Sequence, residues 1–208
     1  MSNIKYAFWR NDKQKEDGFS HELISEDVKK LKGAIDLDTL EVSLFPGVDT
    51  LLKAVKRRCN DPTLKNLPWF GTRGNGKYDW ESASEVYETS KKFAAGCMQL
   101  GLVPEVEAEG RKWRFMGIQA KNRREWFTIH LANMQTGATT VALYDTLGVD
   151  ATKYVVDQTE MITVACTKDL IHKIVNMKKT DDTGKLSKLK YLVCFEGDCA
   201  KEDLEVAD

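Results

Sequence analysis

Four apolar runs of strand length alternate with helix-period segments over the second half of this chain, and that alternation constrains the fold more than any other feature. Phe115-Met116-Gly117-Ile118-Gln119-Ala120, Thr139-Thr140-Val141-Ala142-Leu143-Tyr144, Met161-Ile162-Thr163-Val164-Ala165-Cys166 and Leu189-Lys190-Tyr191-Leu192-Val193-Cys194-Phe195 are the strand-like runs. Between them lie three segments whose apolar residues recur at helical spacing. The first carries Trp126, Phe127, Ile129, Leu131, Ala132 and Met134; the second Ala151, Tyr154 and Val155; the third Leu170, Ile171, Ile174 and Val175. Strand–helix–strand order of this kind predicts βαβ units and a mostly parallel sheet. Near-continuous apolar strands further predict that helices flank the sheet on both faces. Asn122 and Asp150 are the expected caps of the first two helices, and Gly137 the terminator of the first.

The preceding residues read differently. Residues 1–45 form an expected N-terminal extension, polar at Lys13-Gln14-Lys15-Glu16-Asp17-Gly18, with a short helix starting at Ser25-Glu26-Asp27-Val28. Pro46-Gly47 breaks the chain, and residues 46–208 are the expected α/β domain. A helix follows over Asp49–Cys59, with Leu51, Leu52, Val55 and Cys59 at helical spacing and cations in its last turn. Pro68–Arg73 and Lys77–Glu81 flank Gly74-Asn75-Gly76, a β-hairpin signal. Ser82-Ala83-Ser84-Glu85 is a capping box opening a helix that presents Val86, Phe93, Ala94, Cys97 and Leu100 and stops at Gly101.

Several function classes are disfavoured. Acidic and basic residues nearly cancel (32 against 31), so the charge balance does not point to nucleic acid. No apolar run of transmembrane length occurs, and the start of the chain lacks an apolar signal core. Five cysteines without a C-x-x-C pair read as reduced thiols of a cytosolic protein, not as a metal site. His21, His130 and His172 stand in no metal-binding or nucleophile-activating pattern. Gly71-Thr72-Arg73-Gly74-Asn75-Gly76 does not match the dinucleotide fingerprint and precedes a strand. Thr183-Gly184-Lys185-Leu186 lacks the earlier glycine and the metal-binding hydroxyl of a P-loop.

From Lys77 to about Cys166 the residues resemble adenylate-forming synthetases, most nearly the eukaryotic long-chain fatty acyl-CoA synthetases. Tyr78-Asp79-Trp80 leads into a helix closing at Leu100-Gly101-Leu102. Then come Gly117-Ile118-Gln119-Ala120-Lys121-Asn122-Arg123-Arg124-Glu125-Trp126, the Gly137-Ala138 helix end, and Leu143-Tyr144-Asp145-Thr146-Leu147-Gly148. The resemblance implies an N-terminal portion of the large domain of a long-chain fatty acid–CoA ligase. In such an enzyme, fatty acid and ATP give an acyl-adenylate and pyrophosphate, and CoA then takes the acyl group. Long-chain fatty acid, ATP, magnesium and CoA are thus implied for the complete enzyme.

The family's Ser/Thr/Gly-rich phosphate loop ending in Pro-Lys-Gly does not occur within Met1–Asp208, so this stretch is expected to hold no cofactor and to be incompetent by itself. Tyr144, Asp145 and Thr146, at a strand's C-terminal end, are the candidate cleft residues, where open α/β sheets place ligands. Trp126 and Phe127 read as core. A truncated domain would leave an apolar face, with Trp113, Phe115 and Tyr144 near it, to be covered by a second copy or another protein. The expected location is cytoplasmic, at the periphery of organelle membranes. The rival reading is a stand-alone, non-catalytic structural or interaction subunit derived from the family.

Overall fold

A computed structural model describes residues 7–9, 16–26, 45–144 and 146–197. The chain divides into two compact units, Met1–Ala54 and Val55–Asp208. In the first, β1 (Ala7–Trp9) pairs antiparallel with β2 (Leu23–Ser25), placing Phe8 opposite Ile24. Ser25 closes β2 and Glu26 is helical; the rest of the short helix expected there, at Asp27 and Val28, lies outside the described residues. Helix α1 (Leu51–Asn60) has Arg57 and Arg58 in its last turn, where cations suit the helix dipole.

The second unit opens on the expected hairpin. β3 (Pro68–Gly74) and β4 (Lys77–Ser82) pair antiparallel across Asn75-Gly76, whose φ values of 49° and 76° are both positive, as a tight two-residue hairpin turn requires. Ser82 then caps α2 (Ala83–Gln99). Its hydroxyl accepts from the Glu85 amide at 3.3 Å, and the Glu85 carboxylate accepts from the Ser82 amide at 2.8 Å. Gly101, at φ 65°, provides the left-handed exit from α2. Leu100 is exposed at the end of that helix and does not join its buried face. A second hairpin, β5 (Val106–Ala108) with β6 (Arg111–Trp113), turns on Glu109-Gly110 in the same doubly left-handed geometry. Glu109-Gly110 is its one local signal in the sequence, a weak one because glutamate seldom adopts positive φ.

β7 (Phe115–Gln119), β8 (Thr139–Ala142), β9 (Thr163–Cys166) and β10 (Tyr191–Cys194) form a wholly parallel four-stranded sheet in the order β10-β9-β7-β8. The intervening helices are α3 (Arg124–Thr136), α4 (Val149–Thr159) and α5 (Lys168–Lys179). The expected α/β class and parallel sheet are therefore present. Two helix starts differ from the sequence reading. Arg123, not Asn122, is the N-cap of α3, with extended backbone and no side-chain cap bond. The helix begins one residue later because Arg123 turns its guanidinium to Glu125 and Glu196 instead. Likewise Gly148, not Asp150, precedes α4, and Asp150 sits inside the first turn, where its charge suits the dipole.

Alternation along the strands divides the core into two layers. Met116 and Ile118 of β7 and Ala165 of β9 pack with Cys97 of α2 and Ile129 of α3. Val164 and Cys166 of β9 pack on the other face with Val156 of α4 and Ile171, Ile174 and Val175 of α5. α4 is further tied to the loop before β10 by Lys153 and Asp181, 2.9 Å apart and nearly buried. The Thr183 hydroxyl donates to Asp181 as well, and together with the Leu186 amide and Lys153 it holds that carboxyl well below its usual range.

Gly117, at the middle of β7, is the closest approach in the sheet. A Cβ there would stand 2.8 Å from Met161 Sδ, 2.9 Å from Val164 Cγ2 and 3.3 Å from Leu143 Cδ1. Met161 can swing aside, but Val164 is β-branched and fixed on the neighbouring strand. Gly117→Ala is therefore expected to cost about 1–3 kcal/mol by overpacking. Ser82→Ala is expected to cost about 0.5–2 kcal/mol by uncapping α2. Urea denaturation midpoints measure both, and an unshifted midpoint for either variant contradicts its assignment.

Candidate functional site

The sheet order creates one place where neighbouring strands send their chains apart. From β7 the chain moves outward to β8, then returns across β7 to β9 and on to β10. Loops leaving the C-terminal ends of β7 and β9 therefore diverge, and open α/β sheets bind ligands in the crevice that this divergence leaves. Here Lys121 and Arg123, after β7, face Thr167, Asp169 and Leu170, after β9, around a cavity of about 410 Å³.

Charge organises that edge. Arg123 Nε donates to Glu125 Oε2 at 2.7 Å, and Arg123 Nη1 pairs with Glu196 just beyond β10. The other oxygen of Glu196 accepts from the Lys168 amide at 2.8 Å, in the first turn of α5, where a carboxylate is favoured by the helix dipole. One arginine thus joins the ends of β7, α3 and β10, and through Glu196 the start of α5. The Arg123 guanidinium also lies over the Phe195 ring, 5.2 Å from its centroid. Arg124 Nη1 reaches Glu81 of β4 at 3.1 Å while its Nε donates to Glu125, which ties the hairpin to the same knot. Burial alone would raise the Glu125 pKa, but the hydrogen bonds from Arg123, its own backbone and Arg124 outweigh it and bring it from 4.5 to about 2. Arg123 likewise holds Glu196 below the usual range.

A broader groove of about 1020 Å³ runs between the hairpin and the start of α3, with Arg73, Lys77, Tyr78, Asp79 and Asn122 among its lining residues. Beneath it Phe127 packs on Phe70 and Trp69, ring centroids 4.8 and 5.8 Å away, so Phe127 serves the core of this layer. Trp126 packs against the α2–α3 layer. His130 is half-buried; its Nδ1 lies 2.9 Å from the Thr140 hydroxyl, and burial lowers its pKa. It ties α3 to β8 and faces neither cavity.

Tyr144 and Thr146 lie just beyond β8, both exposed, and line neither of these cavities. Asp145 lies outside the described residues. Trp113 and Phe115 are half-buried and stacked, centroids 5.7 Å apart, with the Arg111 guanidinium 3.6 Å over Trp113, so of the three aromatics only Tyr144 is laid open. Thr167, Asp169 and Glu196 carry no motif in the sequence, and Lys121 stands in the Gly117–Trp126 run without a role of its own. Their signal is positional: each follows the C-terminal end of a core strand. Gln119, the last residue of β7, is only 1% exposed, and its side-chain oxygen has no hydrogen-bond partner among the described residues.

The profile of the AMP-binding enzyme family matches residues 51–207. Fatty acyl-CoA synthetase B of Dictyostelium discoideum is 29% identical over 153 residues, covering 71% of this chain and 20% of its own length. Long-chain-fatty-acid–CoA ligase 1 of Cavia porcellus is 29% identical over 150 residues, covering 72% and 20%. The chain therefore spans about a fifth of the length of these relatives. Among solved structures, the adenylation domain of a Mycobacterium chelonae carboxylate reductase superposes with a TM-score of 0.58 at 14% identity, over 88% of this chain and 27% of that one. The anthranilate CoA ligase AuaEII, in complex with anthranoyl-AMP, superposes with a TM-score of 0.55 at 15% identity, over 75% and 26%. At such identities the likeness is one of fold.

The Glu125 shift makes a pH prediction. A carboxyl whose folded pKa is depressed stabilises the fold above its unfolded pKa, and that contribution is lost as pH falls through the folded value. The chain is therefore expected to lose stability as pH drops from 4.5 towards 2. Glu125→Gln should be less stable at neutral pH and show a shallower acid loss. Melting temperatures of both proteins across that window check this, and parallel curves contradict it.

Proposed function

The chain belongs to the AMP-binding enzyme family, and from that membership we propose that it forms part of the large domain of a long-chain fatty acid–CoA ligase. The observation that carries the reading is the family match across residues 51–207, together with relatives named as long-chain ligases and fatty acyl-CoA synthetases. In the complete enzyme a fatty-acid carboxylate attacks the α-phosphate of ATP, expelling pyrophosphate and leaving an acyl-adenylate. The CoA thiol then attacks the acyl carbon, and AMP departs. Magnesium would neutralise charge on the phosphates in such a reaction. Barriers of this kind fall mainly through positioned cations and dipoles.

This chain's own share is architectural. It supplies the parallel sheet and the pinned crevice at its C-terminal edge, against which the phosphate-binding segments of the longer protein would pack. Tyr144, Asp145 and Thr146 are proposed to border the acyl-activation cleft, a reading supported by their position after β8. A larger protein would also cover the exposed Tyr144.

Two measurements test the proposal. Purified chain 1–208 is expected to release no pyrophosphate from ATP in response to a long-chain fatty acid. The coding frame past Asp208 is expected to continue into a Ser/Thr/Gly-rich loop ending in Pro-Lys-Gly. Turnover that survives repurification and scales with protein would overturn the architectural role. A stop codon directly after Asp208 would favour a stand-alone interaction subunit.

A further inference from the structure

We propose that Cys166 and Cys194 form a two-thiol site that closes to a disulfide under peroxide or oxidised glutathione and, when reduced, captures trivalent arsenicals. The inference rests on the sheet and not on the ligase reading. The two residues are far apart in the chain, yet they are direct register partners on the parallel strands β9 and β10. Residues so paired lie about 4.8 Å apart at Cα, inside the roughly 4.4–6.8 Å span of disulfides. They also project to the same face of the sheet. Both side chains meet there: Cys166 belongs to the core layer under α4 and α5, and Cys194 packs against that layer.

Their exposures differ in a useful way. Cys166 is fully buried, whereas Cys194, on an edge strand of the sheet, is half-buried. As the less buried of the two, Cys194 is the thiol that a small oxidant meets first, with Cys166 beside it as its register partner. Attack of the Cys194 thiolate on hydrogen peroxide gives a sulfenic acid and one water. Cys166 then attacks that sulfur, the S–S bond forms, and the second oxygen leaves as water. Two thiols lose two protons and two electrons; one peroxide accepts them and becomes two waters. With oxidised glutathione the same electrons release two glutathione thiols.

The position gives the closure a consequence. Immediately past these cysteines stand Lys168 and Glu196, joined by the 2.8 Å amide–carboxylate bond, and Glu196 holds Arg123. Closure there would bear directly on Glu196, two residues past Cys194, and so on the charged knot of the crevice. Cys59 and Cys97 lie on neither strand, and burial pushes the Cys97 thiol up to about 11.

The test uses the whole chain under native conditions. After exposure to oxidised glutathione or hydrogen peroxide, peptide mass spectrometry without reduction is expected to show a Cys166–Cys194 cross-link, reversed by dithiothreitol. Phenylarsine oxide is expected to bind one per chain in wild type and in Cys199→Ala, and to lose that binding in Cys194→Ala. A glutathione adduct on Cys194 with Cys166 still reduced would overturn the proposal. So would a Cys194–Cys199 link, or arsenical binding unchanged in Cys194→Ala. Thermal melts of the two alanine variants show that each is folded, so loss of arsenical binding reports on the thiol and not on unfolding.

Discussion

The packing of Met161, Val164 and Leu143 onto Gly117 is the contact on which the rest of the second unit depends. β7 is an inner strand of the sheet and the point from which the chain departs in both directions. Without a side chain at its middle, Met161, Val164 and Leu143, members of the core layer under α4 and α5, close on the strand's backbone. The opposite face, free of that demand, takes the larger Met116 and Ile118 against α2 and α3. Large residues on one face and a bare middle on the other let a short strand serve two layers at interior density. The close seating of β9 and of Met161 beside β7 depends on that missing Cβ.

Polar ties then fix what packing leaves free. Arg123 and Glu196 hold the C-terminal ends of the strands together, and Lys153 with Asp181 anchors α4 to the loop before β10. The Lys153–Asp181 pair is nearly buried, and its charges are matched by further donors from Thr183 and Leu186. Removing one partner of such a pair costs far more than the pair contributes net, because the other charge stays out of water. The Arg123 knot is more exposed and more dispensable for folding. Its four carboxylate and amide partners give position, which is what a site at the edge of a sheet needs.

Legibility followed the range of the interaction. The capping box at Ser82 and Glu85, the Asn75-Gly76 turn and the left-handed stops at Gly101 and Gly137 were readable because each is settled within four or five residues. The parallel sheet was readable because apolar runs without alternation need cover on both faces. Asn122 failed as a cap for a non-local reason: Glu196, distant in sequence, draws Arg123 into the knot, and α3 starts one residue later. The β5–β6 hairpin was missed because glutamate at positive φ is an unusual turn residue. Tyr144, Asp145 and Thr146 were placed by resemblance. Of the residues that border the crevice, Lys121 lies within the Gly117–Trp126 run without a role of its own, and Thr167 and Asp169 carry no local motif.

By itself the sequence determined the element types outside the short β1–β2 and β5–β6 pairs, most of their ends, the α/β class and the resemblance that the family match bears out. Those depend on periodicity, capping chemistry and turn residues, all written into short windows of chain. Only the tertiary structure decided strand order, the crevice between β7 and β9, the joining of Arg123 to Glu196 and the meeting of Cys166 with Cys194. Register between strands is set by how two helical layers close on a shared sheet. No window of a few residues contains that closure.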